Sequence, residues 1–304
     1  MRMAHSTHAR RLRPAACQLL GQVAVNLILG GREDRGRPVR DPWACVPDAP
    51  ERGRPAGGSW GVLSRSPVVH SSTVTRDAQT SETHMKIGII GAGHIGSALT
   101  RRLTALGHTV LVANSRNPAT LSDLAAETGA TAVTPQEAVK DVDLIVLTIP
   151  EKNVPHLPHD LFADVPPALP VVDTGNYYPQ QRDGRIAAIE DGLPESRWVE
   201  QTIGHPVIKV FNNIYSVHLQ ENGKPQGAHG RIALPVAGDD PTAKAIVLDL
   251  VNDLGFDPVD VGGLDESWRQ QPGTPVYAAD LDMAGVKKAL SEARPERAAQ
   301  WKAT

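Results

Sequence analysis

A glycine turn constrains this chain more than any other feature. Gly91, Gly93 and Gly96 stand in G-x-G-x-x-G spacing after the β-branched run Ile87, Ile89 and Ile90. They precede Ser97 to Leu106, where Leu99, Leu103 and Leu106 recur at helical spacing. A second apolar strand, Thr109 to Ala113, follows at about the distance a βαβ unit of ~30 residues requires. The three glycines act in physically different ways. The first permits the tight turn, the second lets backbone approach a pyrophosphate, and the third lets the helix pack close to its strand. The pyrophosphate would rest on the free N–H groups at the positive end of that helix, beside His94 and Ile95.

The end of the second strand discriminates between dinucleotides. Sites for NAD place a carboxylate about 20 residues beyond the glycines, on the ribose hydroxyls. Here the sequence runs Val112-Ala113-Asn114-Ser115-Arg116-Asn117, and no acidic residue appears before Asp123. A carboxylate would repel a 2′-phosphate, whereas a hydroxyl and a guanidinium would hold one. Asn114, Ser115 and Arg116 therefore predict NADP(H).

Strand and helix patterns alternate through the rest of the chain. A helix is predicted over Pro118 to Thr128, closed by Gly129; short elements follow around Ala130 to Val133 and Pro135 to Val139. Asp143 to Pro150 and Pro170 to Asn176 read as buried strands with polar or turn-forming ends, and a helix is expected near Arg185 to Glu190. Strand patterns recur at Val207 to Ile214, Arg231 to Ala237 and Pro258 to Val261, with a helix over Pro241 to Leu254. A last amphipathic helix is expected from Met283 towards Trp301, broken at Pro295. The predicted fold class is α/β, a Rossmann-type doubly wound, mostly parallel sheet with a small α/β C-terminal extension. Residues 85–200 would form the NADP-binding domain, and 201–304 would complete the sheet and the acceptor pocket.

Ligands of such sheets bind beyond the carboxyl ends of the strands. That rule puts Thr148, Ile149 and Pro150 beside the nicotinamide, and makes Asn176 and Thr174 cofactor or substrate contacts. Tyr177 and Tyr178 could stack on a planar ring. His205 and Lys209 are the candidate catalytic residues, with Tyr277 a further proton donor should the acceptor be a carbonyl or imine. His156 and His159 have a chelating spacing, but Pro155 and Pro158 interrupt any helix there, and no metal site is expected.

Composition narrows the function classes. The 304 residues carry a net charge of −3, which gives no general attraction to nucleic acid or to a membrane surface. Residues 1–84 hold twelve Arg and no Lys against seven acidic residues, are rich in Pro, Gly and Ser, and show no sustained periodicity. They are expected to be either a disordered tail or a non-native extension upstream of a natural start at Met85. Arg10, Arg11 and Arg13 before Ala15 to Leu29 have the order of a signal peptide, but Gln18, Gln22 and Asn26 interrupt its apolar part. Both cysteines, Cys17 and Cys45, lie in this segment; from Met85 onward there is none, which suits a cytoplasmic enzyme.

Several blocks in order carry a family resemblance: Gly91-Ala-Gly-His-Ile-Gly96, Ala113-Asn-Ser-Arg116, Val146-Leu-Thr-Ile-Pro150, Val207-Ile-Lys-Val-Phe-Asn-Asn213, Pro235-Val-Ala-Gly-Asp-Asp240 and Val261-Gly-Gly-Leu264. Together they resemble the NADPH-dependent reductases of coenzyme F-420, the deazaflavin hydride carrier. The resemblance implies a compact, commonly dimeric NADP-binding enzyme that passes a hydride between nicotinamide and a second redox ring, F-420 or a flavin, in one cleft. It also implies that Ser115 and Arg116 hold the 2′-phosphate and that Ile149 and Pro150 border the nicotinamide. The segment Ser267 to Tyr277 departs from the family pattern, where it could reshape the acceptor pocket. Two other readings are an NADPH-dependent reductase of a small carbonyl or imine, and a non-catalytic protein that senses NADP.

Overall fold

The first strand, β1 (Lys86–Ile90), is buried on both faces and sets the architecture. Its alternation sends Ile87 and Ile89 into one apolar layer with Leu99, Leu103 and Val247, and sends Ile90 into the opposite layer with Leu147 and Val171. The computed structural model describes residues 84–304. The expectations for residues 1–83 and the two cysteines lie outside the described residues.

Eight strands form one sheet in the order β3-β2-β1-β4-β5-β6-β7-β8. They are β2 (Thr109–Ala113), β3 (Thr131–Ala132), β4 (Leu144–Leu147), β5 (Val171–Asp173), β6 (Ile208–Lys209), β7 (Ala233–Ala237) and β8 (Asp257–Gly262). All neighbours pair in parallel except β6 and β7. The order of β1 to β6 is the doubly wound dinucleotide-binding order, so the carboxyl ends of these strands share one edge. The fold is α/β and Rossmann-type, with β7 and β8 extending the same sheet.

The helices cover both faces. They are α1 (His94–Ala105), α2 (Ser122–Thr128), α3 (Pro135–Ala138), α4 (Ala187–Glu190), α5 (Glu195–Ile203), α6 (Ser216–Glu221), α7 (Pro241–Asp253) and α8 (Met283–Glu292). Their ends follow local chemistry. Thr134 and Glu137 make a capping box on α3, Asp240 caps α7 through the N–H groups of Thr242 and Ala243, and Gly129 ends α2 in the left-handed conformation.

Several boundaries differ from expectation. The glycine-turn helix begins at His94, three residues before Ser97, because the turn itself supplies the first helical residues. The last helix stops at Glu292, ahead of Pro295, and a short 3-10 turn over Ala299–Trp301 follows. Also unexpected were α5, α6, the 3-10 turns Glu151–His156 and Leu264–Gln270, and the π-helical turn Pro179–Asp183. Among the described residues no helix is long and apolar enough to cross a membrane.

Candidate active site

The glycine turn has the geometry its residues demand. Gly91 has φ +114°, and a Cβ there would lie 2.1 Å from the Thr148 carbonyl oxygen. A Cβ on Gly96 would lie 1.9 Å from the carbonyl oxygen of Gly91, which is the close approach of helix to strand. Gly93 differs from both: it is exposed, and a Cβ there would meet nothing within 4 Å. The two tight glycines thus shape a turn whose middle glycine faces open space at the amino end of α1. These are the requirements for seating a pyrophosphate on free N–H groups, and the residues present fit a dinucleotide.

Along the same edge, β2 ends in Asn114, Ser115 and Arg116. Asn114 is buried and structural: its amide donates to the Thr120 hydroxyl at 3.0 Å and its carbonyl oxygen accepts from the Arg116 N–H at 2.8 Å. That brace fixes the backbone from which Ser115, exposed, and Arg116, half-buried, project. The Arg116 Nε is buried without a partner, and its guanidinium makes no ion pair among the described residues. Thr148 and Ile149 back the glycine turn from β4, with the Thr148 N–H donating to the Ile90 carbonyl at 2.9 Å. Pro150, half-buried, leads into the 3-10 turn Glu151–His156.

Beside the turn lies a cleft whose wall includes His94, Ile95, Asn176, Tyr178, Tyr215 and Tyr277. The chain is strained here: Phe211 and Ala278, both in the lining, are non-glycine residues with φ 63° and 53°. The Asn176 amide donates to the Asn212 carbonyl oxygen at 2.8 Å, Asn212 donates to the Gln270 carbonyl oxygen at 2.7 Å, and Gln270 donates back to the Asn212 side chain at 2.9 Å. This buried amide chain ties the turns after β5 and β6 to the Leu264–Gln270 turn. Beyond it, Tyr178 and Tyr277 are hydrogen-bonded hydroxyl to hydroxyl, and Trp301 packs on both rings at 6.1 Å.

Under the cleft floor lies a buried ionic cluster. Lys209, fully buried, donates to Asp173 at 3.0 Å and to the Gly175 carbonyl oxygen at 2.6 Å, and the two charged residues are direct register partners on β5 and β6. Asp173 also accepts from the Ser196 hydroxyl at 2.7 Å. Burial alone would lower the lysine's pKa, but Asp173, Glu151 and Glu195 outweigh it and the direction is up. Glu151 is fully buried, and neither carboxyl oxygen finds a hydrogen-bond partner among the described residues. Burial first, and then the Asp173 charge, push its carboxyl well above the ordinary value. Glu195 is raised by burial and opposed by Arg297, its ion-pair partner at 2.9 Å.

These positions sort the expected site residues. Gly91, Gly93, Gly96, His94 and Ile95 form the turn and its helix start; Ser115 and Arg116 stand on the same edge; Asn176 reaches the cleft wall. Thr148 and Ile149 lie behind the turn, outside the cleft lining. His205 and Lys209, expected as catalytic residues, do not reach the cleft. His205 is buried with its ring nitrogens against the carbonyl oxygens of Pro206 and Pro166 at 2.8 and 3.0 Å. Lys209 is enclosed by the ionic cluster, because a cation on a central strand is stable only among carboxylates. Tyr177 is buried rather than stacked in the cleft; its hydroxyl donates to the Gly184 carbonyl oxygen at 2.9 Å. Sequence reasoning missed Tyr215, the Asn212–Gln270 link and Trp301, none of which belongs to a local motif. Among the described residues there is no cluster of His, Cys, Asp and Glu that could hold a metal.

Residues 86–177 match the family described as "NADP oxidoreductase coenzyme F420-dependent". The protein YjhV of Escherichia coli strain K12 is 47% identical over 78 residues, and the aligned stretch spans 57% of that protein and 26% of this chain. The crystal structure of the protein SMa0349 from Sinorhizobium meliloti is similar at 31% identity with a TM-score of 0.55, over 66% of this chain and 97% of that one.

Proposed function

The chain belongs to the family of coenzyme F-420-dependent NADP oxidoreductases, and from that premise we propose that it transfers a hydride between NADP(H) and a second redox ring, F-420 or a flavin, held in the tyrosine-walled cleft. Membership places it among NAD(P)-dependent oxidoreductases of Rossmann fold. The observation that carries the finer reading is that His94 and Ile95 belong at once to the dinucleotide turn and to the lining of the cleft. One residue pair therefore borders both the nucleotide and whatever faces it.

A reduced nicotinamide supplies the hydride when the dinucleotide is bound. The chain's own residues bind and orient. Gly93 and the α1 amino end receive the pyrophosphate, Ser115 and Arg116 receive the 2′-phosphate, and the aromatic wall excludes water from the acceptor. Reduction of a small carbonyl or imine is the second reading, favoured by the hydroxyl pair of Tyr178 and Tyr277.

Anaerobic stopped-flow absorbance tests the proposal. The protein with NADPH is mixed with oxidised F-420, with FMN and with a series of small carbonyls. Matched loss of NADPH and F-420 or FMN absorbance is the expected result. Tight NADPH binding with no oxidation by any acceptor would move the protein to a dinucleotide-sensing role, and absence of NADPH binding would end both readings.

A further inference from the structure

Tyr178 follows β5 and Tyr277 follows the Leu264–Gln270 turn, 99 positions later, yet the two meet hydroxyl to hydroxyl in the wall of one cleft. Two hydroxyls carry two hydrogens, and the bond between them engages one. Neither hydroxyl has another hydrogen-bond partner among the described residues, so the second hydrogen is available to a third group. The rings cannot drift apart freely: Trp301 packs on both, and the Arg182 guanidinium stands over the Tyr178 ring at 4.9 Å. Burial pushes both phenols up, Tyr178 to about 12 and Tyr277 well above its ordinary value, so both remain protonated near neutral pH.

Three other groups in the lining carry a transferable hydrogen, namely His94, Tyr215 and Ser216. His94 stands at the nucleotide turn, and a serine hydroxyl is a poor acid. Among the described residues no hydroxyl is hydrogen-bonded to that of Tyr215, whose ring packs edge-on against His218 instead. The two residues first expected to donate protons, His205 and Lys209, are sealed off from the cleft.

We propose that the Tyr178–Tyr277 pair is the proton donor of this cleft and that it serves an uncharged carbonyl or imine group on the acceptor, free or built into a redox ring. The inference rests on the NADP(H) reading above. The balance is simple. The hydride leaves the reduced nicotinamide as its C–H bond breaks, and forms a C–H bond at a carbonyl, imine or deazaflavin carbon, or an N–H bond at a flavin's ring nitrogen. The displaced π electron pair moves to the carbonyl oxygen, the imine nitrogen or, through conjugation, a second ring nitrogen. One tyrosine O–H then breaks as the O–H or N–H of the product forms, and the resulting phenolate is reprotonated through its partner hydroxyl from water.

The test uses the full chain and 4-(dimethylamino)cinnamaldehyde, a push–pull aldehyde whose absorption moves to the red when its carbonyl oxygen accepts a hydrogen bond. With NADP+, which cannot reduce it, a red shift is expected for the wild type and is expected to vanish in Tyr178→Phe/Tyr277→Phe. With NADPH, each single Phe variant should slow bleaching of the aldehyde by roughly 100-fold or more, the effect of losing a positioned general acid. NADPH affinity, read by nucleotide fluorescence, should be unchanged in all three variants, which also reports that they fold. Slower reduction of F-420 or FMN in the same variants would assign the proton to a ring acceptor, and slowing confined to the aldehyde would assign it to a free carbonyl. A red shift that survives the double substitution overturns the proposal, as does its absence from a wild type that binds NADPH. A wild type that does not bind NADPH defeats the functional reading instead, and the two failures are separate.

Discussion

At Gly91 there is no room for a methyl group and no conformation that welcomes one. Gly91→Ala would place a Cβ 2.1 Å from the Thr148 carbonyl oxygen at φ +114°, and both obstacles are backbone. The expected loss of stability is about 2–3 kcal/mol or more, read as a fall in Tm, because neither partner can move aside. Gly93→Ala meets nothing, so its Tm should stay near wild type while its affinity for NADPH drops, since the methyl group fills the open side of the turn. Equal losses of stability in the two variants would contradict these separate roles. Arg116→Ala tests the 2′-phosphate assignment. Removing a charge-assisted contact of about 1.5–3 kcal/mol should weaken NADPH roughly 10- to 100-fold and leave NADH unaffected, by fluorescence titration. The roles expected of these positions come from backbone geometry and the sign of a charge, both of which are written in residue type and spacing. His205 and Lys209 illustrate the converse: residue type names a possible chemistry, whereas both side chains are buried among protein partners and outside the cleft lining.

Elements with an apolar face were legible, and elements whose buried face is polar were not. The strands β1, β2 and β4 are dominated by Ile, Val and Leu and were readable, although β4 ends at Leu147, three residues before Pro150. In α5 the buried positions include Glu195 and Ser196, which face Arg297 and Asp173, so no apolar period marks the helix. The same cluster makes stability depend on pH. Glu151, on the turn after β4, has a folded-state pKa raised above its ordinary 4.5, so the folded chain binds more protons than the unfolded one. Stability is then full below that value and is lost as pH rises through the folded-state range; Glu195 shifts in the same direction. Lys209, raised above 10.5, contributes a constant amount until the pH approaches that value. Above the ordinary carboxylate range, Tm should therefore fall as pH rises towards the raised Glu151 value, and Glu151→Gln should flatten that fall. A slope unchanged by that substitution would show that Glu151 stays ionised beside Lys209.

At the scale of the molecule, the carboxyl-terminal segment joins the two halves of the site. After α8 the chain returns to pack on the segment that follows β5 and on α5. Arg297 lies over the Tyr177 ring at 5.0 Å and pairs with the fully buried Glu195, while the Gln180 amide donates to the Lys302 carbonyl oxygen at 2.9 Å. Gly273 leaves the space that Trp301 fills, since a Cβ there would lie 2.6 Å from the indole. The sequence showed a helix broken near Pro295 but not this return, because contacts separated by more than a hundred residues leave no local period. Two substitutions separate what the segment does. Arg297→Met removes the cation from a buried carboxylate and should destabilise the fold by about 3–5 kcal/mol, the penalty for an unpaired buried charge, measured by denaturant unfolding. Trp301→Ala leaves that ion pair in place and removes only the packing on Tyr178 and Tyr277. Its global stability should fall much less, NADPH affinity should hold because the glycine turn and Arg116 are untouched, and KM for the acceptor should rise as the tyrosine wall loosens. If Trp301→Ala instead weakened NADPH and left the acceptor unaffected, the acceptor could not be seated against this wall.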